Sequence, residues 1–213
     1  MRNKFIFNHK DKDDFFRKLV FFSEEYKHFC LLDSNSSENN VPERYFEYDL
    51  ICAFDAIETL SSIDNSFLKI KNFHSKFNDW MFGCLSFDLK DEVFNLPSEG
   101  IDDLASDHIS FFIPKYVILV KENKLEVLTH ENKESTDSLI NQISCYSCNE
   151  QKINTLSFKS RESKKSYLQK IDKIKHHIKR GDIYEINYCQ EFFNDNVLVS
   201  PYNIFYHLNK LTK

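Results

Sequence analysis

Glycine is scarce in this sequence of 213 residues, which contains only Gly83, Gly100 and Gly181. Glycine tolerates backbone conformations and close approaches that any side chain forbids, so a chain this poor in it should keep it where the backbone requires it. Gly83 interrupts an apolar run, which predicts a bulge or the close approach of another backbone. Gly181 follows a helical pattern, where a left-handed cap is expected.

Long apolar runs are also missing. No segment reaches the 18 or so apolar residues of a membrane span, and the amino terminus lacks the apolar stretch of a secretory signal. The net charge of −5 argues against a nucleic-acid-binding protein. The phosphate-binding loop, the dinucleotide-binding fingerprint and the nucleophile elbow are absent as well. The missing membrane span and secretory signal, together with scattered cysteines, predict a cytoplasmic protein.

The sequence does not predict a metal site in this chain. Cys145 and Cys148 form a C-x-x-C pair, but no second pair follows at zinc spacing, so structural thiols are expected. His176 and His177 are adjacent and would point about 100° apart on a helix, which prevents easy sharing of one metal. His108 is expected at the surface or hydrogen-bonded internally. The six cysteines are scattered and suit reduced thiols: Cys30, Cys52, Cys84, Cys145, Cys148 and Cys189.

Hydrophobic periodicity predicts a mixture of helices and strands. Helices are expected over 11–26, 66–77, 164–180 and 200–213, strands over 28–35, 48–54, 80–89 and 183–193, and a hairpin over 115–129. Residues 130–165 are polar, and we place a linker or subdomain boundary near 150–160. We therefore predict one domain over 1–155 and the start of another over 156–213.

The segment 164–193 combines a capped helix with an alternating strand. Ser163 is the expected N-cap of an amphipathic helix, whose basic face is interpreted as solvated rather than as a nucleic-acid site. In the strand, one face (Tyr184, Ile186, Tyr188 and Phe192) is expected in the core. The other carries Glu185 and Asn187, a pattern typical of a strand lining a polar cleft. In the last helix, Phe205, Leu208 and Leu211 are expected to face inward. No stop signal follows Leu211, a hint of truncation.

Three segments, in order, resemble the chorismate-binding enzyme family. They are CLLDSN with YDL (30–35 and 48–50), WMFGCLSFDLKDEVFNL (80–96), and IKRGDIYEINYCQEFF with SPYNIFYHLNKL (178–193 and 200–211). The second departs from the family pattern at Cys84 and Phe87, where tyrosines are usual. The third resembles above all component I of aminodeoxychorismate synthase. Component I of anthranilate synthase is the alternative, and the residue that best separates the two is expected beyond Lys213.

The resemblance implies an α+β fold in which antiparallel β-sheets pack face to face with helices outside, incomplete in this chain. It implies amination of chorismate to 4-amino-4-deoxychorismate, in 4-aminobenzoate and folate synthesis. The nitrogen would come from a glutamine amidotransferase subunit or from free ammonia. It also implies Mg²⁺ held by glutamates downstream of Lys213. The chain is therefore expected to be an amino-terminal fragment that lacks most catalytic residues, is inactive alone and is poorly soluble or partly disordered.

The resemblance also implies site residues within the chain. Glu185 and Asn187 occupy positions in the catalytic cleft, although aminating members more often carry Gln at the place of Glu185. The alternative is that Glu185 is an ordinary strand residue paired with a cation on a neighbouring strand. Leu32, Asp33 and Ser34 correspond to a tryptophan pocket, and the alternative is a turn that caps its own backbone. A non-catalytic module that binds an aromatic amino acid remains a further alternative.

Overall fold

The computed structural model describes residues 1–9, 11–34, 47–94, 104–149, 156–195 and 197–211. The chain divides into two compact units. The first contains residues 1–149 and the end of the chain from Tyr206, and the second contains residues 150–205. This division does not test whether either part folds independently, so the domain boundary at residue 155 stays a prediction.

Helices and strands alternate along the described residues. The helices are α1 (Lys12–Phe22), α2 (Ser66–Phe77), α3 (Lys90–Phe94), α4 (Lys133–Ser144), α5 (Lys164–Arg180) and α6 (Pro201–Leu211). The strands are β1 (Asn3–Asn8), β2 (Phe29–Asp33), β3 (Leu50–Ser62), β4 (Phe82–Leu85), β5 (Ile109–Lys121), β6 (Lys124–Thr129), β7 (Lys159–Ser160) and β8 (Phe192–Phe193). Among the described residues, no helix has both the length and the apolar character needed to cross a bilayer.

A six-stranded sheet forms the centre of the first unit. Its strand order is β1-β6-β5-β3-β2, and β4 pairs with the first residues of β5. Every pairing in it is antiparallel, which confirms the predicted α+β class. Both faces of β5 are buried, with Ile118 on one face and Val117 on the other. The face-to-face packing of two sheets stays a prediction.

Helix α1 covers one face of this sheet. Asp11 caps the helix by accepting hydrogen bonds from the backbone N–H groups of Asp13 and Asp14. The ring of Phe22 meets Phe54 of β3 edge-on, with centroids 6.2 Å apart, and also contacts Tyr146 after α4. The helical spacing of the apolar residues in α1 therefore forms the core contact that the sequence predicts.

Gly83 lies where β4 meets β5. A Cβ atom placed on Gly83 would lie 2.0 Å from the carbonyl oxygen of Ser110. No side chain fits at that distance, so the predicted close approach of another backbone is confirmed. The predicted strand over 80–89 is too long, however, because β4 ends at Leu85 and a 3₁₀ turn follows over Phe87–Leu89.

Helix α4 lies in the polar stretch 130–165, where the sequence predicted no helix, and it ends before the linker or boundary expected near 150–160. Asn132 caps it through the backbone N–H of Ser135, and its apolar residues Leu139, Ile140 and Ile143 are buried. These apolar residues follow helical spacing. The segment is polar on average because polar residues surround them, so its composition alone does not indicate a helix. The capped apolar stripe therefore outweighs the polar character of the segment.

The predicted strand over 183–193 is wrong except at its end, where Phe192–Phe193 pairs with Lys159–Ser160. The face expected in the core is exposed instead: Tyr184 is 92% exposed and Ile186 is 54% exposed. A strand requires a hydrogen-bonding neighbour as well as an alternating pattern. Within the described residues, the segment before Phe192 lacks such a neighbour.

Helix α6 has the predicted extent but a different buried face. The expected inward residues Phe205, Leu208 and Leu211 are exposed, and Asn203, Tyr206 and Asn209 are buried. In the first unit, the ring of Tyr206 packs against Phe16 and Phe21, at centroid distances of 6.4 Å and 5.6 Å. These aromatic contacts determine which face of α6 is buried. The spacing of its apolar residues alone did not predict that face.

Candidate functional site

Helix α5 comes directly before the segment that carries Glu185 and Asn187, and both its ends are capped. The Ser163 side chain caps its first turn through the backbone N–H of Ser166, at 3.3 Å. Gly181 has a φ of 82°, and the N–H groups of Gly181 and Asp182 donate to the carbonyls of Ile178 and His177, both at 3.0 Å. This is a Schellman motif, so the predicted N-cap and left-handed C-cap are both confirmed.

Asp182 stabilises the same helix end through its side chain. Its Oδ2 lies 2.7 Å from Nδ1 of His177 and 3.5 Å from Nε of Arg180. Both partners belong to the last turn of α5, where cations interact favourably with the helix dipole. The Asp182 contacts therefore define the direction in which the chain leaves α5 toward Glu185.

Glu185 and Asn187 are exposed in the second unit. Within the described part of the chain, neither side chain has a hydrogen-bond or ion-pair partner, so the alternative that Glu185 pairs with a neighbouring cation is not realised there. Because both side chains are exposed, both polar groups are available to a ligand that approaches this segment.

Glu162 is the most connected carboxylate near this segment, and the sequence did not single it out. It pairs with Lys170 of α5 at 2.7 Å, and the hydroxyl of Tyr188 donates to it at 2.6 Å. The hydrogen bonds from Lys170, Ser166 and Tyr188 lower the pKa of Glu162 to about 2. The same ion pair raises the pKa of Lys170. The only sequence signal was an acidic residue beside the first turn of a helix.

A cleft of about 500 Å³ lies beside this network, entirely within the second unit. It is lined by Ser160, Glu162, Lys164, Tyr167, Leu168, Gln190 and Phe192. Arg161 closes the adjoining strand pair through two hydrogen bonds to the carboxylate of Glu191, at 2.8 Å and 3.0 Å, and stacks over Phe193. The cleft walls are therefore held by α5 and by the β7–β8 pair.

The candidate tryptophan pocket lies in the first unit, at the end of β2. Leu32 is 53% exposed. Asp33 accepts a hydrogen bond of 2.8 Å from Asn209 of α6, and Ser34 donates through both its N–H and its hydroxyl to the carbonyl of Asp49, each at 3.0 Å. These bonds cross to distant residues. Residue 35 of the alternative turn lies outside the described residues, and the pocket stays a prediction.

The remaining candidate residues show ordinary structural roles. All six cysteines are thiols. Burial raises the pKa of the Cys30 thiol and, further, that of Cys52. Nδ1 of His108 lies 3.0 Å from the carboxylate of Glu92, which confirms a hydrogen-bonded histidine. Among the described residues, no group of three or more acidic, His or Cys side chains is placed to hold a metal ion.

A comparison with protein families gives a match. Residues 20–213 match the family model described as chorismate binding enzyme. This range begins within α1 and includes β2, β4, α5 and the segment from Gly181 to Glu185. No curated protein matches the chain.

Proposed function

This chain belongs to the chorismate-binding enzyme family, and we propose that it serves the amination of chorismate to 4-amino-4-deoxychorismate. Members of the family are enzymes that use chorismate. The finer proposal rests on the three ordered segments, which with Glu185 resemble aminodeoxychorismate synthase component I. The family match covers all three segments and supports the coarser assignment. Amination at the other ring position, as in anthranilate synthase, is the alternative that product analysis distinguishes.

The proposed reaction gives Glu185 and Asn187 orienting roles. Amination replaces a ring hydroxyl of chorismate with ammonia, so the nucleophile must be held close to the ring carbon while the hydroxyl leaves. A carboxylate accepts hydrogen bonds from ammonia or from the hydroxyl, and an amide both donates and accepts. The exposure of Glu185 and Asn187 on one segment supports this assignment. The contact of either residue with substrate is a proposal.

Magnesium and a glutamine amidotransferase belong to the proposal because the resemblance implies both. Bound Mg²⁺ would clamp a substrate carboxylate and help the hydroxyl to leave. We assign no residue of this chain to the metal, because the described residues offer no fitting cluster. The amidotransferase would supply ammonia from glutamine, and free ammonium would replace it in an assay.

Product analysis tests the proposed reaction. Because the 213-residue chain is expected to be inactive alone, the product of the complete open reading frame is incubated with chorismate, Mg²⁺ and ammonium. The products are separated by liquid chromatography and identified by mass spectrometry. The expected product is 4-amino-4-deoxychorismate. Anthranilate would reassign the chain to the alternative branch, and unchanged chorismate under all conditions would overturn the proposal.

Substitutions of Glu185 test its role. If Glu185 orients ammonia as a hydrogen-bond acceptor, Glu185→Ala should lower kcat/KM for ammonium by about a hundredfold, a typical effect of losing a positioned catalytic group. Glu185→Gln keeps an acceptor oxygen and should stay within about tenfold of the wild type. Equal losses in both variants would indicate a base rather than an orienting acceptor, and no loss in either would remove Glu185 from the site. Glu162→Gln would be unsuitable as a control because Glu162 holds the neighbouring Tyr188.

A further inference from the structure

We propose that Glu162 is a positioning residue for Glu185. In this proposal Glu162 does not touch the substrate. It holds the side chain of Tyr188, and through Tyr188 it fixes the segment on which Glu185 lies. The inference rests on the proposed amination, in which Glu185 orients ammonia.

The residues between Asp182 and Tyr188 have little support of their own. Tyr184 and Ile186, the neighbours of Glu185, are both exposed. In the part of the chain that the structure describes, no hydrogen bond joins residues 183–187 to other residues. The position of Glu185 therefore depends on the contacts at the two ends of this short segment.

The first end of the segment is fixed at the last turn of α5. Asp182 comes three positions before Glu185, and its backbone N–H donates to the carbonyl of His177 at 3.0 Å. Its side chain also contacts His177 and Arg180. A chain fixed at one end only would still leave Glu185 with many accessible positions, so a second attachment is needed to restrict it.

The second end is fixed at Glu162. The Tyr188 hydroxyl donates to the Glu162 carboxylate at 2.6 Å, and the Tyr188 ring lies 5.4 Å from the ring of Tyr167 in α5. Two positions further on, Nε2 of Gln190 donates to the backbone carbonyl of Glu162 at 3.3 Å. Both the side chain and the backbone of Glu162 thus hold the chain just after the segment.

The Glu162 carboxylate can serve as an anchor because it is itself fixed to α5. Its Oε1 atom lies 2.7 Å from Nζ of Lys170 and accepts a hydrogen bond from the Ser166 hydroxyl. Its other oxygen, Oε2, is the acceptor for Tyr188. Hydrogen bonds from a hydroxyl to an ionised carboxylate are short and comparatively strong. Tyr188 therefore meets an acceptor that two residues of α5 already hold in place.

Tyr188→Phe tests the anchor with little disturbance of α5, because it removes only the hydroxyl and leaves the contacts of Glu162 with Lys170 and Ser166. In the product of the complete open reading frame, kcat/KM for ammonium should fall about tenfold, since a small displacement of an orienting group slows the reaction. Tyr167→Phe is the matched control. It removes a hydroxyl from the neighbouring ring that has no hydrogen-bond partner among the described residues, so its kcat/KM should match the wild type.

A double-mutant cycle shows whether Tyr188 acts through Glu185. If it does, the effect of Tyr188→Phe disappears once the Glu185 carboxylate is removed. Glu185→Ala and the double variant should then have the same kcat/KM for ammonium, about a hundredfold below the wild type. Independent effects would instead multiply to about a thousandfold. A general loss of folded structure would multiply in the same way, so the cycle separates positioning from a structural role.

Proteolysis gives a measurement that does not depend on amination. A glutamyl endopeptidase cleaves after Glu185 only when the segment leaves its anchors, and mass spectrometry identifies that cut. Tyr188→Phe should be cleaved after Glu185 about fivefold faster than the wild type, because one hydrogen bond no longer opposes local opening. Tyr167→Phe should be cleaved at the wild-type rate. Circular dichroism confirms that each variant is folded.

The outcomes separate this inference from the proposed amination. If the wild type forms product and Tyr188→Phe keeps the same kcat/KM, the positioning role is overturned while amination stands. An equal loss from Tyr188→Phe with and without Glu185 would overturn it as well. If the wild type forms no product, amination fails and proteolysis decides whether the anchor exists: unchanged cleavage after Glu185 would overturn it, and faster cleavage would support it.

Discussion

At the scale of single residues, Gly83 and Gly181 are required for different reasons. Gly83 has an ordinary backbone conformation but lies against the Ser110 carbonyl, whereas Gly181 has open space around it and a left-handed backbone. One position excludes a Cβ atom by contact, and the other disfavours it by conformation. Substitutions at the two glycines should therefore destabilise the fold by different mechanisms, steric overlap at Gly83 and backbone strain at Gly181. The third glycine, Gly100, lies outside the described residues.

Gly83→Ala should destabilise the first unit strongly. Its methyl group would overlap the Ser110 carbonyl and the ring of Phe111, which forces β4 away from β5. We expect a loss of about 3 kcal/mol in the free energy of unfolding, measured by urea titration, as for an overpacked core. Cys84→Ala, at the exposed next residue, is the control and should cost less than about 1 kcal/mol. A Gly83→Ala variant as stable as the wild type would show that β4 does not approach β5 so closely.

Glu162 should make the second unit sensitive to acid. Hydrogen bonds from Lys170, Ser166 and Tyr188 lower its pKa from 4.5 to about 2. A carboxyl group whose pKa is depressed on folding stabilises the fold above its unfolded pKa, and that contribution is lost as pH falls through the folded value. The stabilising contribution should thus be complete at neutral pH and should disappear between about pH 4.5 and pH 2.

The acid prediction is measured with Glu162→Gln. Unfolding of the variant and of the wild type is compared by circular dichroism between pH 7 and pH 2. The variant should be less stable at pH 7, and the two proteins should converge toward pH 2. Glu185→Gln is a matched control, since Glu185 is exposed and without an ionic partner among the described residues. A constant difference at every pH would show that the Glu162 charge does not stabilise the fold.

At the scale of secondary structure, the end of α5 depends on its Schellman motif. Gly181→Ala should cost about 1 to 2 kcal/mol, because an alanine is strained in the left-handed region. Gly181→Asn should cost less, since asparagine tolerates that conformation. The measurement is hydrogen exchange of the Gly181 and Asp182 amides, which donate to the last turn of the helix. Equal exchange in all three proteins would contradict the assignment.

Elements with local signals were predictable from the sequence, and elements that depend on distant partners were not. The caps Ser163 and Gly181 define α5 within one turn at each end, so its bounds were correct. The segment before Phe192 alternates like a strand, yet alternation cannot supply the neighbour that a strand requires. The buried face of α6 was wrong for the same reason, because Tyr206 is placed by Phe16 and Phe21.

At the scale of the whole molecule, the α+β class and the family followed from three ordered segments, whereas the site geometry did not. The sequence pointed to Glu185 and Asn187, but it gave no sign that Glu162 would collect three partners. Nor did it indicate that the Oε1 atom of Gln190 would be buried without a hydrogen-bond partner in the described part of the chain. Both features arise because residues 159–162 and 188–193 meet beside α5, a tertiary contact that no local pattern encodes.

Removal of divalent metal tests separately whether amination requires the metal and whether the stability of the fold does. If amination requires Mg²⁺, chelation with EDTA should abolish product formation, and added Mg²⁺ should restore it. The melting temperature of the 213-residue chain should not change, because its described residues contain no metal-holding cluster. Product formation that persists in EDTA would remove the metal from the proposal, and a chelation-dependent melting temperature would reveal a metal site in the chain.

The position of Tyr206 has a consequence for protein synthesis. Tyr206 is 4% exposed and packs on Phe16 and Phe21 of α1, so the first unit needs residues from both ends of the sequence. A ribosome adds roughly 5 to 20 residues per second, so α1 emerges many seconds before its aromatic partner. During that interval the surface around Phe16 and Phe21 lacks its cover. During synthesis the nascent chain therefore exposes the kind of aromatic surface that chaperones bind.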